Sequence, residues 1–128
     1  MFAAAGVRVA QKPHGPSRLQ TSAGTEYAFQ EPSWSHDGRS IAYSTDFNAF
    51  TADMLALFRG VDVWIVDALR RRPHPSHGHL DQVLGWIALV QPRRAILTHM
   101  DQSMDYDTLC RSLPESIEPG YDGLEVIV

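Results

Sequence analysis

Val61-Asp62-Val63-Trp64-Ile65-Val66-Asp67 is a short, mostly apolar run that ends on a carboxylate. A run of this length, rich in valine, isoleucine and tryptophan, reads as a β-strand rather than a helix. On its upstream side, Thr51 suits an N-cap, Met54, Leu55 and Phe58 stand at helical spacing, and Gly60 is a stop signal. On its downstream side, beyond a Pro- and His-rich loop, Leu80, Val83, Leu84, Ile87 and Ala88 form the stripe of an amphipathic helix that Pro92 closes. Arg94-Ala95-Ile96-Leu97-Thr98 is the next strand and ends at His99. Asp105 then caps a short helix carrying Leu109 and Leu113, and residues 124–128 read as a final strand. Further upstream, Asp37-Gly38 marks a hairpin turn between a strand at Tyr27-Ala28-Phe29 and one at residues 40–45, with Asp46 at its end. Residues 1–24 are rich in Gly, Ser, Pro and Gln, with one β-like run at 6–10. A hairpin followed by strand–helix alternation predicts an α/β fold whose sheet is covered by helices on at least one face.

The bulk composition narrows the function classes. A chain of 128 residues fits one modest domain, and a net charge of −4 argues against a strongly basic nucleic-acid face. The single cysteine, Cys110, excludes an intramolecular disulfide and points to a reducing compartment. No stretch is long and apolar enough to span a bilayer, and the opening Met1-Phe2-Ala3-Ala4-Ala5-Gly6 lacks signal-peptide character, so a cytoplasmic protein is expected. Histidine is less ordinary: of six, His74, His77 and His79 lie within one short segment, which raises the prior for a metal site.

The informative regularity is where the polar residues fall. Asp46, Asp67 and His99 each follow a strand's apolar run directly, where a rigid sheet can aim a side chain. Taken singly, each has a plainer reading: Asp46 and Asp67 as turn caps, His99 as a core histidine.

These same segments carry a resemblance. Residues 61–70, then Arg72-Pro73-His74-Pro75-Ser76-His77, Ile96-Leu97-Thr98-His99-Met100 and Glu118-Pro119-Gly120-Tyr121-Asp122-Gly123-Leu124 resemble the C-terminal part of metallo-β-lactamase-fold hydrolases. The nearest group contains the phosphodiesterase of the phosphonate-degradation pathway. Upstream, His14-Gly15 resembles its His-Gly motif, and Tyr43-Ser44-Thr45-Asp46 resembles its strand ending in a metal-bridging aspartate. The resemblance implies the C-terminal half of an αββα sandwich, a mixed sheet with helices on one face. It also implies two metal ions, zinc or manganese, in the complete family site. His14, Asp46 and His99 would be metal ligands here, and the metals would activate a water that attacks phosphorus in a small phosphodiester. His77 resembles the family's loop histidine that protonates the leaving oxygen, and Asp67 would hold that imidazole charged.

The chain departs from the family in one respect: no His-x-His-x-Asp-His stands upstream of His14. Residues 1–128 are therefore expected to be a partial domain that holds one ion or none and is crippled on its own. A sheet without its partner would expose an apolar face and favour homodimers or other self-association. His77-Gly78-His79-Leu80-Asp81 imitates the missing motif, but Leu80 opens the apolar helix stripe and Asp81 falls in its first turn. That position matches the family's leaving-group loop instead. Arg70, Arg71 and Arg72 offer cations for phosphate oxygens, although a solvated basic run is the commoner meaning of such charges. The competing expectation is a non-catalytic remnant or subunit that binds metal or a complementary N-terminal half.

Overall fold

The computed structural model describes the backbone of residues 8–9, 18–20 and 26–34, and residues 40–126 with their side chains. The elements in chain order are β1 (Arg8–Val9), β2 (Arg18–Gln20), β3 (Glu26–Trp34), β4 (Ser40–Ser44), α1 (Ala52–Phe58), β5 (Val63–Asp67), α2 (Leu80–Val90), β6 (Arg94–Thr98), α3 (Tyr106–Ser112), β7 (Ile117–Pro119) and β8 (Glu125–Val126). The main sheet has six strands in the order β2-β3-β4-β5-β6-β7, and β1 pairs separately with β8. The β2–β3 and β3–β4 pairs are antiparallel, whereas β4, β5, β6 and β7 run parallel. This is the expected mixed α/β sheet. Trp34 pairs with Ser40 across the reversal between β3 and β4. The proposed Asp37-Gly38 turn itself lies outside the described residues, as does His14.

Alternation along each strand sorts the core into two clusters, one per sheet face. Ala42, Trp64, Val66, Ala95 and Leu97 face Met54 and Phe58 of α1, Leu80, Val83, Ile87 and Val90 of α2, and Leu109 of α3. All three helices thus pack on one face, as expected. Ile41, Val63, Ile65 and Ile96 point the other way. The expectation that this second face stands bare is not met among the described residues. These four are at most 5% exposed, because the chain after β7 brings Leu124 and Val126 against them. Two details of the helix reading also change. Ala88 is exposed and Val90 completes the buried stripe, since the helix continues to Val90 and stops at Gln91 in the left-handed conformation. The strand β7 was not anticipated, because Pro119 within it breaks the usual strand signal. No helix among the described residues is long and apolar enough to cross a membrane.

An aromatic cluster locks the segment that follows β4. Phe50 lies 5.5 Å from Trp64 and 5.8 Å from Trp86, and Phe47 stacks on Trp86 at 5.0 Å. Trp64 satisfies its buried N–H by donating to Ser44 Oγ at 2.8 Å, which ties β5 to β4. At the opposite end of these strands Asp62 accepts from Ser40 N–H at 2.8 Å.

The Ser40 N–H, opposed by partial burial and helped by the Ser40 hydroxyl and Arg93, holds the Asp62 carboxyl below its ordinary range. A carboxylate with a depressed folded pKa stabilises the fold above its unfolded value of 3.8, and that contribution is lost as pH falls through the folded value. Asp62→Ala is therefore expected to cost about 1 kcal/mol at neutral pH, with the gap to wild type closing below pH ~4. Urea titrations at pH 7 and pH 3 check it.

Candidate metal centre

Three neighbouring parallel strands deliver the site. Ser44 pairs with Val66 and Asp67 with Thr98, so the carboxyl ends of β4, β5 and β6 lie side by side. Asp67 is the last residue of β5, His99 directly follows β6, and Asp46 stands two residues beyond β4. Asp46 and His99 both have positive φ, 60° and 58°, in the left-handed region where non-glycine residues are uncommon. Such conformations end each strand abruptly and turn the chain across the sheet edge. Their recurrence at the ends of the two strands that flank β5 is the pattern expected of a functional site rather than of ordinary turns.

Asp67 is the hub. It is fully buried, and its Oδ2 accepts from the Asp46 N–H at 2.8 Å and lies 2.8 Å from His77 Nδ1 and 3.4 Å from His99 Nδ1. His77 Nδ1 also lies 3.8 Å from Asp46 Oδ1, and the His77 and His99 rings are 5.0 Å apart. Asp46, Asp67, His77 and His99 each offer a donor atom within 4.8 Å of the others. The structure thus brings together Asp46, Asp67, His77 and His99, the described residues to which the family resemblance gave metal-binding or catalytic roles. The hydrogen bond joining Asp67 to the Asp46 backbone was not foreseen, since no sequence pattern links residues on separate strands.

His77 arrives from the loop between β5 and α2, and that loop is pinned at both ends. Leu69 N–H donates to Gly78 O at 3.0 Å, Gly78 N–H to Phe47 O at 2.7 Å, and Leu80 N–H to Arg70 O at 2.9 Å. Arg70 donates from Nε to Arg72 O at 3.1 Å and from Nη2 to Pro73 O at 2.7 Å. Its guanidinium thus braces the loop, while Arg71 and Arg72 are exposed. Asn48 donates to Pro75 O, and Gln82 to Asn48 O at 2.9 Å, so the segment after β4 and the histidine loop form one unit. His74 bonds locally to Ser76. In the imitation motif only His77 joins the cluster. His79 occupies the N-cap position of α2, Leu80 is buried in the core, and Asp81 is exposed in the first turn.

The donor set fits a cation. Asp67 Oδ1 is buried with no hydrogen-bond partner among the described residues, a costly state for a carboxylate oxygen. Two carboxylates held this close also repel unless positive charge lies between or beside them. Carboxylate and imidazole donors are the kinds that divalent metal ions take.

Comparisons with known proteins bear on the family and the fold. Residues 2–100 match the family described as the Beta-lactamase superfamily domain. An octanoyltransferase from Porphyromonas gingivalis (strain ATCC BAA-308 / W83) is 28% identical over 90 residues, 69% of this chain and 18% of that protein. The crystal structure of a diphosphatase from the PhnP family superposes with a TM-score of 0.72 at 28% identity, over 85% of this chain and 40% of that one. The metallo-beta-lactamase fold protein YhfI from Bacillus subtilis superposes with a TM-score of 0.62 at 11% identity, over 85% of this chain and 47% of that one, a likeness of fold alone. The chain therefore spans less than half the length of both structures and less than a fifth of the octanoyltransferase.

Gly78 is the tightest point of the histidine loop: a Cβ there would stand 2.8 Å from Val83 Cγ2 and 3.0 Å from Trp86 Cζ3. Gly78→Ala is expected to destabilise by about 1–3 kcal/mol and to displace His77 from Asp67. Thermal unfolding measures the first effect, and the change in the His77 imidazole resonances on Asp67→Asn, compared with Gly78→Ala, measures the second.

Proposed function

The chain belongs to the beta-lactamase superfamily, and on that premise we propose that it is a metal-dependent hydrolase of small phosphodiesters. The observation supporting this reading is the convergence of Asp46, Asp67, His77 and His99 on one sheet edge, with a buried carboxylate oxygen that has no hydrogen-bond partner among the described residues. Asp46 and His99 would hold metal, zinc or manganese, with His14, outside the described residues, as a further ligand. Bound ions would supply Lewis-acid polarisation of the phosphoryl oxygens and an acidified water as the nucleophile. His77 is the general acid: its Nδ1 lies 2.8 Å from the Asp67 carboxylate, which leaves Nε2 to pass a proton to the departing oxygen. Asp67 fixes the ring's orientation. Through the Asp46 N–H it also sets the backbone that presents the Asp46 carboxylate.

The diphosphatase resemblance supports phosphorus as the centre attacked, and the imidazole ligands favour an anionic substrate because they add no negative charge. A second reading is a chain that binds metal without turning substrate over.

Metal content by plasma mass spectrometry and turnover of bis(p-nitrophenyl) phosphate, measured on one sample, test the proposal. Bound zinc or manganese with turnover is expected. His99→Ala should lose metal and activity together, whereas His77→Ala should keep metal and lose about 10²–10⁴ in kcat. Bound metal without turnover would favour the second reading, and a folded chain that binds no metal would overturn both.

A further inference from the structure

Two large exposed side chains stand on the same sheet edge as the metal centre. Tyr106 is 45% exposed and Tyr121 is 53% exposed, and their rings meet edge to face with centroids 6.1 Å apart at 86°. The strand register places them. Leu97 of β6 pairs with Pro119 of β7, and Gly120 N–H donates to Leu97 O at 2.8 Å. Two residues beyond Leu97 is His99, and two residues beyond Pro119 is Tyr121, so Tyr121 leaves its strand level with His99. Adjacent strands lie roughly 4.8 Å apart. Tyr106 begins α3 directly after Asp105, whose carboxylate accepts from the Thr108 N–H at 2.9 Å and caps the helix. The connection from β6 is tethered by the Asp101 N–H donating to Leu69 O at 2.7 Å, which keeps the start of α3 at this edge.

Exposed tyrosines are common, and a pair could serve only to pack α3 on β7. What sets this pair apart is its side of the centre. The strand order is β4-β5-β6-β7, so Asp46, Asp67 and His77 lie to one side of His99, and Tyr121 lies to the other. With His77 serving the leaving oxygen, the ester group that stays on phosphorus has the tyrosine side open to it.

Resting on the hydrolase reading above, we propose that Tyr106 and Tyr121 form an aromatic platform beside the metal centre that stacks a planar ring on the retained ester group, so that aryl or nucleobase-bearing phosphodiesters are preferred over alkyl ones. Stacking on a tyrosine face is tolerant of ring identity, so the platform selects a class of substrate rather than one compound.

Steady-state constants for bis(p-nitrophenyl) phosphate and methyl p-nitrophenyl phosphate test this, because both release p-nitrophenolate and differ in the retained group. In Tyr121→Leu and Tyr106→Leu, KM for the diaryl ester is expected to rise about five- to tenfold, with its kcat and both constants of the methyl ester within about twofold. Tyr121→Phe, which keeps the ring, should match wild type. Equal changes for both esters, a loss confined to kcat, or no change in either leucine variant would overturn the platform. Calorimetric binding of phenyl phosphate against methyl phosphate separates this inference from the function it rests on. If neither diester is hydrolysed, the phosphodiesterase reading fails; a phenyl preference lost in Tyr121→Leu still supports the platform, and equal affinities overturn it.

Discussion

The architecture of this edge depends on one buried carboxylate. Asp67 sits at the end of β5 with no exposure, and its Oδ2 takes the Asp46 N–H and lies beside the Nδ1 atoms of both His77 and His99. A charged group at that depth is tolerated only if its surroundings answer it with donors and positive charge. Three separate chain segments supply that answer: the turn after β4, the loop before α2 and the turn after β6. Burying one aspartate therefore fixes the relative positions of the others.

The parallel sheet makes this convergence possible. Because β4, β5 and β6 point the same way, the residues that follow them share one edge, where ligands bind in open α/β sheets. The positive φ of Asp46 and His99 keeps their side chains at that edge instead of letting the backbone run on. Behind the edge, Phe47, Phe50, Trp64 and Trp86 give the turn after β4 and the loop of His77 a common apolar footing. Gly78 lets that loop approach Trp86 closely enough for its N–H to reach Phe47 O. The placement of these side chains is a consequence of core packing.

Much of this was legible before any coordinates. The periods of 2 and 3.6 along residues 40–112 give the strands and helices nearly to the residue, since each element buries a face of the expected width. The bounds of β6 and the capping by Thr51 and Asp105 are as read. Asp46, Asp67 and His99 stood out as candidates by their positions after apolar runs, and His77 by the family motif around it. The short strand β7 was not, because three residues that include a proline carry too little pattern. Nor was the covering of the second face by Leu124 and Val126, which depends on where the chain travels after β7.

The sequence by itself determined the alternation of strands and helices, the family likeness and the candidate site residues, because these are properties of local pattern and residue type. Tertiary structure decided which of them meet. It joined Asp67 to the Asp46 backbone across 21 positions of chain and brought His77 rather than His79 into the cluster. It turned the Arg70 guanidinium to loop carbonyls and paired Leu97 with Pro119. Such contacts arise from the parallel register of the strands and from the need to satisfy one buried charge, and no window of sequence contains either.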